Sequence, residues 1–179
     1  MEILDSIRES IESNNNLDKT IKTKLFELIV IFHDRFPDIN LDKFNTLVKT
    51  VKVGRIGKYE AVGVFRYDVI NNELLFSPKK LELDYDLDNL MMRGVLGMIT
   101  STGEYSGFNS TEDLRTLNSA YEEILANYLV GNGELADQEE EMIITNIVGE
   151  IIGSDTLFNA YFTNNGQMIM DILDRIENA

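Results

Sequence analysis

The stretch NLMMRGVLGMITS, residues 89–101, decides the fold because it is apolar on nearly every side. A helix that is apolar all round in a globular chain is usually a central, buried one. Gly94 and Gly97 each cost such a helix about 1 kcal/mol relative to alanine. Close approach of another backbone is the usual compensation. We therefore predict a buried helix here, with a neighbouring element packed against its two glycines.

Amphipathic helices are predicted on the N-terminal side of this stretch. Residues 3–11 carry one apolar helical face, and the asparagines at 14–16 end that helix. Asp18 is the predicted N-cap of a second helix. That helix stops before Pro37, because the residue before a proline avoids helical geometry. A third, shorter helix is predicted over residues 41–51.

Residues 53–88 change to β-type character. The segment 62–70 is rich in β-branched and aromatic residues, and 73–77 follows it after Asn71 and Asn72. Asparagine tolerates the positive φ of tight turns, so this pattern predicts an antiparallel hairpin. The alternating segment 81–88 is either a further strand or an extended approach to the central helix.

Four helices and a loop are predicted after residue 101. A glycine-containing loop at 102–109 leads to a capping-box pattern at 110–113 and a helix that Gly131 ends. The face of that helix opposite its apolar stripe is small, and we predict that it packs on Gly94 and Gly97 with Glu123 partly buried. It consists of Ser119, Ala120, Glu123, Ala126 and Asn127.

The C-terminal part begins with the acids Glu139, Glu140 and Glu141, which suit the first turn of a helix. An apolar stripe follows in the same helix: Ile143, Ile144, Ile147, Val148, Ile151 and Ile152. A short helix and a last amphipathic one complete the chain. The sequence thus predicts one mostly helical α+β domain over 1–179, with N-terminal helices at 1–52, a small antiparallel hairpin or sheet and an extended segment at 53–88, and a helical part at 89–179.

The net charge of −15, from 31 acids against 16 bases, excludes several partners. A protein that binds the phosphate backbone of nucleic acid needs an excess of Lys and Arg, and so does one that binds an anionic membrane. The charge allows a basic protein partner or mimicry of nucleic acid. The sequence has no cysteine, no basic and apolar leader at its start and no apolar run of membrane-spanning length, so the cytoplasm is the expected location.

Most catalytic arrangements are excluded by residue type. His33 is the only histidine, so a pair of zinc-binding histidines on one helix is impossible, and His33 is expected to be exposed or cap-like. Asp84, Asp86 and Asp88 have the spacing of the start of a calcium loop. They lack its later glycine and glutamate, which favours solvated acids on one strand face. No cofactor is expected.

The order of several short motifs resembles zincin-type metallopeptidases of Gram-positive bacteria. Members of that family carry HELFHMAS, then SGF, then LNEGYTE, and later AYF. Here RGVLGMIT at 93–100 lies where HELFHMAS would, and SGF recurs at 106–108. LNSAYEE at 117–123 lies over LNEGYTE, and AYF recurs at 160–162. The resemblance covers residues 60 to 175 and implies a zincin-like helical fold.

The departures from the family pattern remove its metal site. Arg93 and Gly97 stand at the two histidine positions, Gly94 at the position of the catalytic glutamate, and Ser119 at the first glutamate of LNEGYTE; only Glu123 remains. The resemblance therefore implies a pseudo-metallopeptidase without zinc ligands or general base. Gly94 and Gly97 would then border a groove, and Arg93 would pair with Glu123 across it.

The expected function is a non-catalytic, regulatory one exercised through contact with a protein, for which a basic surface would be complementary. Two alternatives are an acidic inhibitor or nucleic-acid mimic from a phage or mobile element, and a hydrolase with an unconventional carboxylate metal site. No direct binding of nucleic acid or membrane is expected. The candidate contact surface is acidic, in segments 81–88 and 134–141, and comprises Glu82, Asp84, Asp86, Asp88, Glu139, Glu140 and Glu141.

Overall fold

The structure is a computed structural model that describes residues 2–56, 65–77, 87–108, 114–131 and 139–179. Within these ranges the chain forms eight α-helices and three β-strands, so the predicted mostly helical α+β class is confirmed. None of the helices in these ranges is long and apolar enough to cross a membrane. The predicted capping box at 110–113 and most of the alternating segment at 81–88 lie outside the described residues.

The helices are α1 (Glu2–Ser13), α2 (Lys19–Arg35), α3 (Asp42–Leu47), α4 (Leu87–Ile99), α5 (Arg115–Val130), α6 (Glu139–Ile152), α7 (Ser154–Phe162) and α8 (Gly166–Glu177). The strands are β1 (Lys52–Arg55), β2 (Phe65–Asp68) and β3 (Glu73–Phe76).

Caps and turns lie close to where the sequence places them. The Asp18 carboxylate accepts a hydrogen bond of 2.9 Å from the backbone N–H of Ile21, as predicted for an N-cap. Gly131 and Gly153 have φ angles of 90° and 95° and follow α5 and α6, because glycine adopts positive φ without a Cβ clash. Asn164, with φ 55°, separates α7 from α8.

The sheet is three-stranded and mixed, in the order β1-β3-β2. The predicted hairpin is confirmed as β2 and β3, which pair antiparallel around Asn72 with φ 51°. The Asn72 amide also donates to the carbonyl of Leu47 at 2.9 Å and so ties the turn to the end of α3. Strand β1 was not predicted, and it pairs parallel to β3. Four residues that include Gly54 are too few to show a period of two.

Helix α4 is the centre of the molecule, and residues 89–101 are all buried. It contacts α2, α3, α5 and β2. The prediction that α5 packs on Gly94 and Gly97 is wrong, because these glycines face the sheet. A Cβ at Gly94 would lie 2.5 Å from Leu74 Cδ2, and one at Gly97 would lie 2.7 Å from Tyr67 Cδ1. The glycines thus admit side chains of β2 and β3, while α5 lies against another side of α4.

Candidate functional site

A buried ion pair joins α4 to α5 at two of the positions that the resemblance identifies. Arg93 Nη2 lies 3.1 Å from Glu123 Oε1, and the two side chains are 7% and 2% exposed. The predicted contact between Arg93 and Glu123 is therefore confirmed, although Glu123 is more deeply buried than expected. Both charges are buried, and a buried ion without a partner would be strongly destabilising.

Asn89 extends this pair into a polar network along the boundary between α4 and α5. Arg93 donates to Asn89 Oδ1 from Nε at 3.2 Å and from Nη2 at 3.1 Å. The Asn89 amide in turn donates to Asn127 Oδ1 at 2.6 Å and to the carbonyl of Gly131 at 3.3 Å. The network fixes the guanidinium and ties α4 to the C-terminal end of α5.

The space beside the two helical glycines is filled by side chains. Leu74 and Phe65 lie over Gly94, and Tyr67 lies over Gly97, with its Cβ 3.2 Å from where an alanine Cβ would be. Gly94 and Gly97 therefore do not border an open groove on the sheet side, contrary to the prediction. Ser119 is half-buried on α5.

A second polar cluster surrounds Glu122, which the sequence did not single out. The Tyr161 hydroxyl donates to Glu122 Oε1 at 3.0 Å, the Asn118 amide does so at 3.3 Å, and the Ser106 hydroxyl lies 3.5 Å away. Burial raises the pKa of the Glu122 carboxyl to about 7, although the three donors and the nearby Arg93 act in the opposite direction. Burial and Glu122 hold the pKa of Tyr161 well above its usual value, so Tyr161 remains a donor.

The three segments SGF, LNSAYEE and AYF meet in this cluster, although up to 39 positions separate their hydrogen-bonded residues. Gly107, with φ 60°, lies so close to Asn118 and Tyr161 that a Cβ would clash with both. The backbone N–H of Phe108 donates to Asn118 Oδ1 at 2.9 Å. The Asn164 amide donates to the carbonyls of Thr100 and Gly107, at 2.7 Å each. These contacts hold the loop after α4 in place. We call the two hydrogen bonds from Asn164 to Thr100 and Gly107 the Asn164 clamp.

The candidate acidic surface is only partly described. Asp88 Oδ1 lies 2.7 Å from Lys24 Nζ, so this acid is engaged in an internal ion pair. Glu140 is exposed and Glu141 is half-buried. Three acids lie outside the described residues, namely Glu82, Asp84 and Asp86, and so does the side chain of Glu139.

His33 is half-buried on α2, rather than exposed or in a cap, and its Nδ1 is buried with no hydrogen-bond partner in the described residues. In the same residues no group of three or more His, Asp and Glu side chains has an arrangement that could hold a metal ion.

Helix α6 presents isoleucines to solvent. Ile143, Ile144, Ile147 and Ile151 are 56%, 57%, 50% and 53% exposed. They form one stripe at helical spacing, which we call the isoleucine face. The opposite side of α6 packs on the core through half-buried and buried residues, among them Val148, Ile152 and Thr145. Only the Val148 and Ile152 part of the predicted apolar stripe faces the core, and the four isoleucines face solvent.

An open groove runs beside the isoleucine face, between α5, α6 and the start of α7. Its volume is about 920 Å³. Aromatic rings form much of its wall, and two carboxylates lie in it: Phe36, Tyr121, Tyr128, Phe158, Glu150 and Asp155. It is larger than the hollow beside Arg35 and Leu129, of about 520 Å³, and the one beside His33 and Pro37, of about 320 Å³.

Comparison of the chain with protein-family models, with curated proteins and with solved structures found no match.

Proposed function

We propose that this protein is a non-catalytic binding protein that acts through contact with another protein, on a scaffold that resembles zincin-type metallopeptidases. The isoleucine face carries the proposal. Monomeric proteins rarely expose large contiguous apolar patches, and such patches mark sites of interaction. Four neighbouring isoleucines, each at least half exposed, form such a patch beside an aromatic groove.

The isoleucine face can supply part of the free energy of specific binding. Full burial of an isoleucine side chain contributes about 1.5–3 kcal/mol. Each of the four is already half-covered, so a partner gains roughly half of that from each. The sum is about 3–6 kcal/mol before the entropic cost of association. Further contacts in the aromatic groove would add to this value.

The residues at the positions that the resemblance identifies support the non-catalytic part of the proposal. Arg93 and Glu123 satisfy each other's charge in the interior, and Tyr67 and Leu74 fill the space beside Gly97 and Gly94. A substrate would need to displace these side chains to reach this point of α4. Binding at the surface makes no such demand.

Affinity capture with matched double variants tests the binding function. The tagged protein and its Ile143→Asn/Ile147→Asn variant are used to capture partners from a lysate of the source cells, with quantification by mass spectrometry. The control is Ile70→Asn/Ile176→Asn, since Ile70 in the β2–β3 turn and Ile176 on α8 are 78% and 51% exposed. We expect specific partners to be lost from the first variant alone. Equal capture by all three proteins would refute the assignment of the surface.

Elemental analysis of the purified protein tests the non-catalytic part. We expect substoichiometric divalent metal, unchanged in Glu123→Gln. A metal present at one equivalent and lost on that substitution would show that the site remains chemically competent. The proposal of a non-catalytic protein would then be withdrawn.

A further inference from the structure

Charge on the C-terminal helices indicates what kind of partner covers the isoleucine face. Helix α6 carries four glutamates and no base, and α7 adds Asp155 without any base. Glu140 and Glu150 are exposed and flank the isoleucines at helical spacing. The face is therefore an apolar stripe with acidic margins.

The groove beside α6 has the same combination of apolar and acidic groups. Glu150 and Asp155 lie along its α6 and α7 side, opposite the rings of Tyr121 and Tyr128. Arg35 stacks over the Tyr128 ring at 4.7 Å, so the positive charge near the groove lies on its α2 side. A ligand that bridges the groove and the isoleucine face would pass over Glu150.

We propose that a basic amphipathic helix of another protein docks along α6, with its apolar side on the isoleucine face and its Lys or Arg side chains on Glu140, Glu150 and Asp155. This inference rests on the proposed function and names its partner class. Helix α6 has 14 residues and is about 21 Å long, so a partner helix of about the same length would cover it. Docking of an amphipathic helix by apolar anchors at helical spacing is a common recognition mode.

A second copy of the chain fits this surface less well. Its own α6 would bring Glu140 and Glu150 against the same residues of the first copy, and like charges across an interface oppose association. The same carboxylates repel phosphate groups of nucleic acid and anionic lipid. A basic helix is the partner for which both the apolar and the charged parts of the surface are complementary.

Binding of designed peptides to the full chain tests the inference. The probes are three labelled peptides of about 15 residues, matched to the length of α6. One has leucines on one helical face and lysines elsewhere, the second replaces lysine by glutamate, and the third shuffles the first so that it has no apolar face. Fluorescence anisotropy measures each Kd. We expect the leucine–lysine peptide to bind at least about tenfold more tightly than either of the others.

Two variants with matched controls assign this binding to α6. Ile143→Asn/Ile147→Asn and Glu140→Gln/Glu150→Gln should each weaken binding of the leucine–lysine peptide by about tenfold. The controls are Ile70→Asn/Ile176→Asn and Glu2→Gln/Glu9→Gln, the second of which removes two exposed carboxylates from α1. Both controls should retain the affinity of the unmodified protein.

Three outcomes would overturn the inference. Equal binding of the ordered and shuffled peptides, or equal loss in the α1 control, would mean general attraction to an acidic protein. Dimerisation in sedimentation that Ile143→Asn/Ile147→Asn abolishes would make a second copy the occupant. With any of these three outcomes, the proposed function would still be supported if capture of partners from the lysate depended on the isoleucines. Loss of isoleucine dependence in both experiments would refute the proposed function as well.

Discussion

Gly97 and Gly149 lie in helices but have opposite surroundings. A Cβ at Gly97 would lie 2.7 Å from Cδ1 and 3.2 Å from Cβ of Tyr67, and the ring cannot retreat because its Cβ is itself close. A Cβ at Gly149 would meet only Leu157 Cδ2, at an ordinary 3.5 Å. We predict that Gly97→Ala destabilises the protein by about 1–3 kcal/mol through overpacking. Gly149→Ala should stabilise it by up to about 1 kcal/mol. Urea denaturation of both variants checks the pair, and a stable Gly97→Ala would contradict the close contact.

Because burial raises the pKa of Glu122, this residue makes the stability of the protein fall as the pH rises. Its pKa is about 7 in the folded protein against 4.5 for the ordinary side chain. Between these values the folded state binds more protons than the unfolded state, so stability falls as the pH rises. Below this window the effect is absent, and above it the full penalty of up to about 3 kcal/mol applies.

The variant Glu122→Gln cannot ionise but keeps an oxygen that accepts from Tyr161. We predict that its stability relative to the unmodified protein increases from pH 4.5 to pH 7 and then levels off. Thermal or urea unfolding at several pH values measures this difference. Glu140→Gln, at an exposed site, should show no such rise. A constant difference across the window would mean that Glu122 ionises normally.

Single residues differ in how far the sequence predicts their surroundings. Arg93 and Glu123 are isolated charges on otherwise apolar or small helical faces, and such charges require a partner when buried. Their contact could therefore be predicted. Glu122 stands next to Glu123 in the chain and looks like an ordinary exposed acid. Only the three-dimensional meeting of Ser106, Asn118 and Tyr161 shows that it is half-buried and hydrogen-bonded.

At the scale of elements, the ion pair determines how α4 and α5 are joined. Arg93→Met or Glu123→Leu alone removes the ion pair but keeps its other charge in the interior, so each should destabilise the protein by about 3–5 kcal/mol. The double variant removes both charges and should recover most of this loss. A double-mutant cycle by urea denaturation measures the coupling. Additive losses in the double variant would mean that the pair contributes little to the contact.

The clamp on the loop after α4 depends on Asn164. Glycine at this position keeps the left-handed backbone but loses the two hydrogen bonds to Thr100 and Gly107, so Asn164→Gly should cost about 1–3 kcal/mol. Asn164→Ala should cost about 1 kcal/mol more, because a Cβ disfavours positive φ. The order of melting temperatures tests this ranking. Equal stability of all three proteins would contradict a stabilising contribution from these two hydrogen bonds.

Helix α6 shows why periodicity alone does not give orientation. Its isoleucines, with Val148 and Ile152, form one continuous stripe in the sequence, and the centre of such a stripe is expected to face the core. In the structure only the Val148 and Ile152 edge does so, together with Thr145 and Gly149. Thr145 is fully buried on this edge, where its hydroxyl donates to the carbonyl of Glu141, and hydropathy does not register this.

At the scale of the whole molecule, composition and pattern were sufficient for the fold class. The central buried helix, the flanking amphipathic helices and the hairpin follow from hydrophobic spacing and turn residues. The parallel pairing of β1 with β3 does not, because it joins segments about 20 residues apart and no local rule selects it. The proposed function could not be predicted from the sequence, because the exposure of the isoleucine face is known only once the rest of the chain is packed.

The Asn164 clamp also bears on the order in which the chain can fold. Synthesis proceeds from the N-terminus, so α1 to α5 are complete well before residue 164 is made. Until then the carbonyls of Thr100 and Gly107 have no Asn164 amide to bind, and the contact spans 64 positions in the chain. Closure over such separations is slower than local helix formation. We therefore expect the hydrogen bonds from Asn164 to the loop after the central helix to form late, after the helices on either side of that loop.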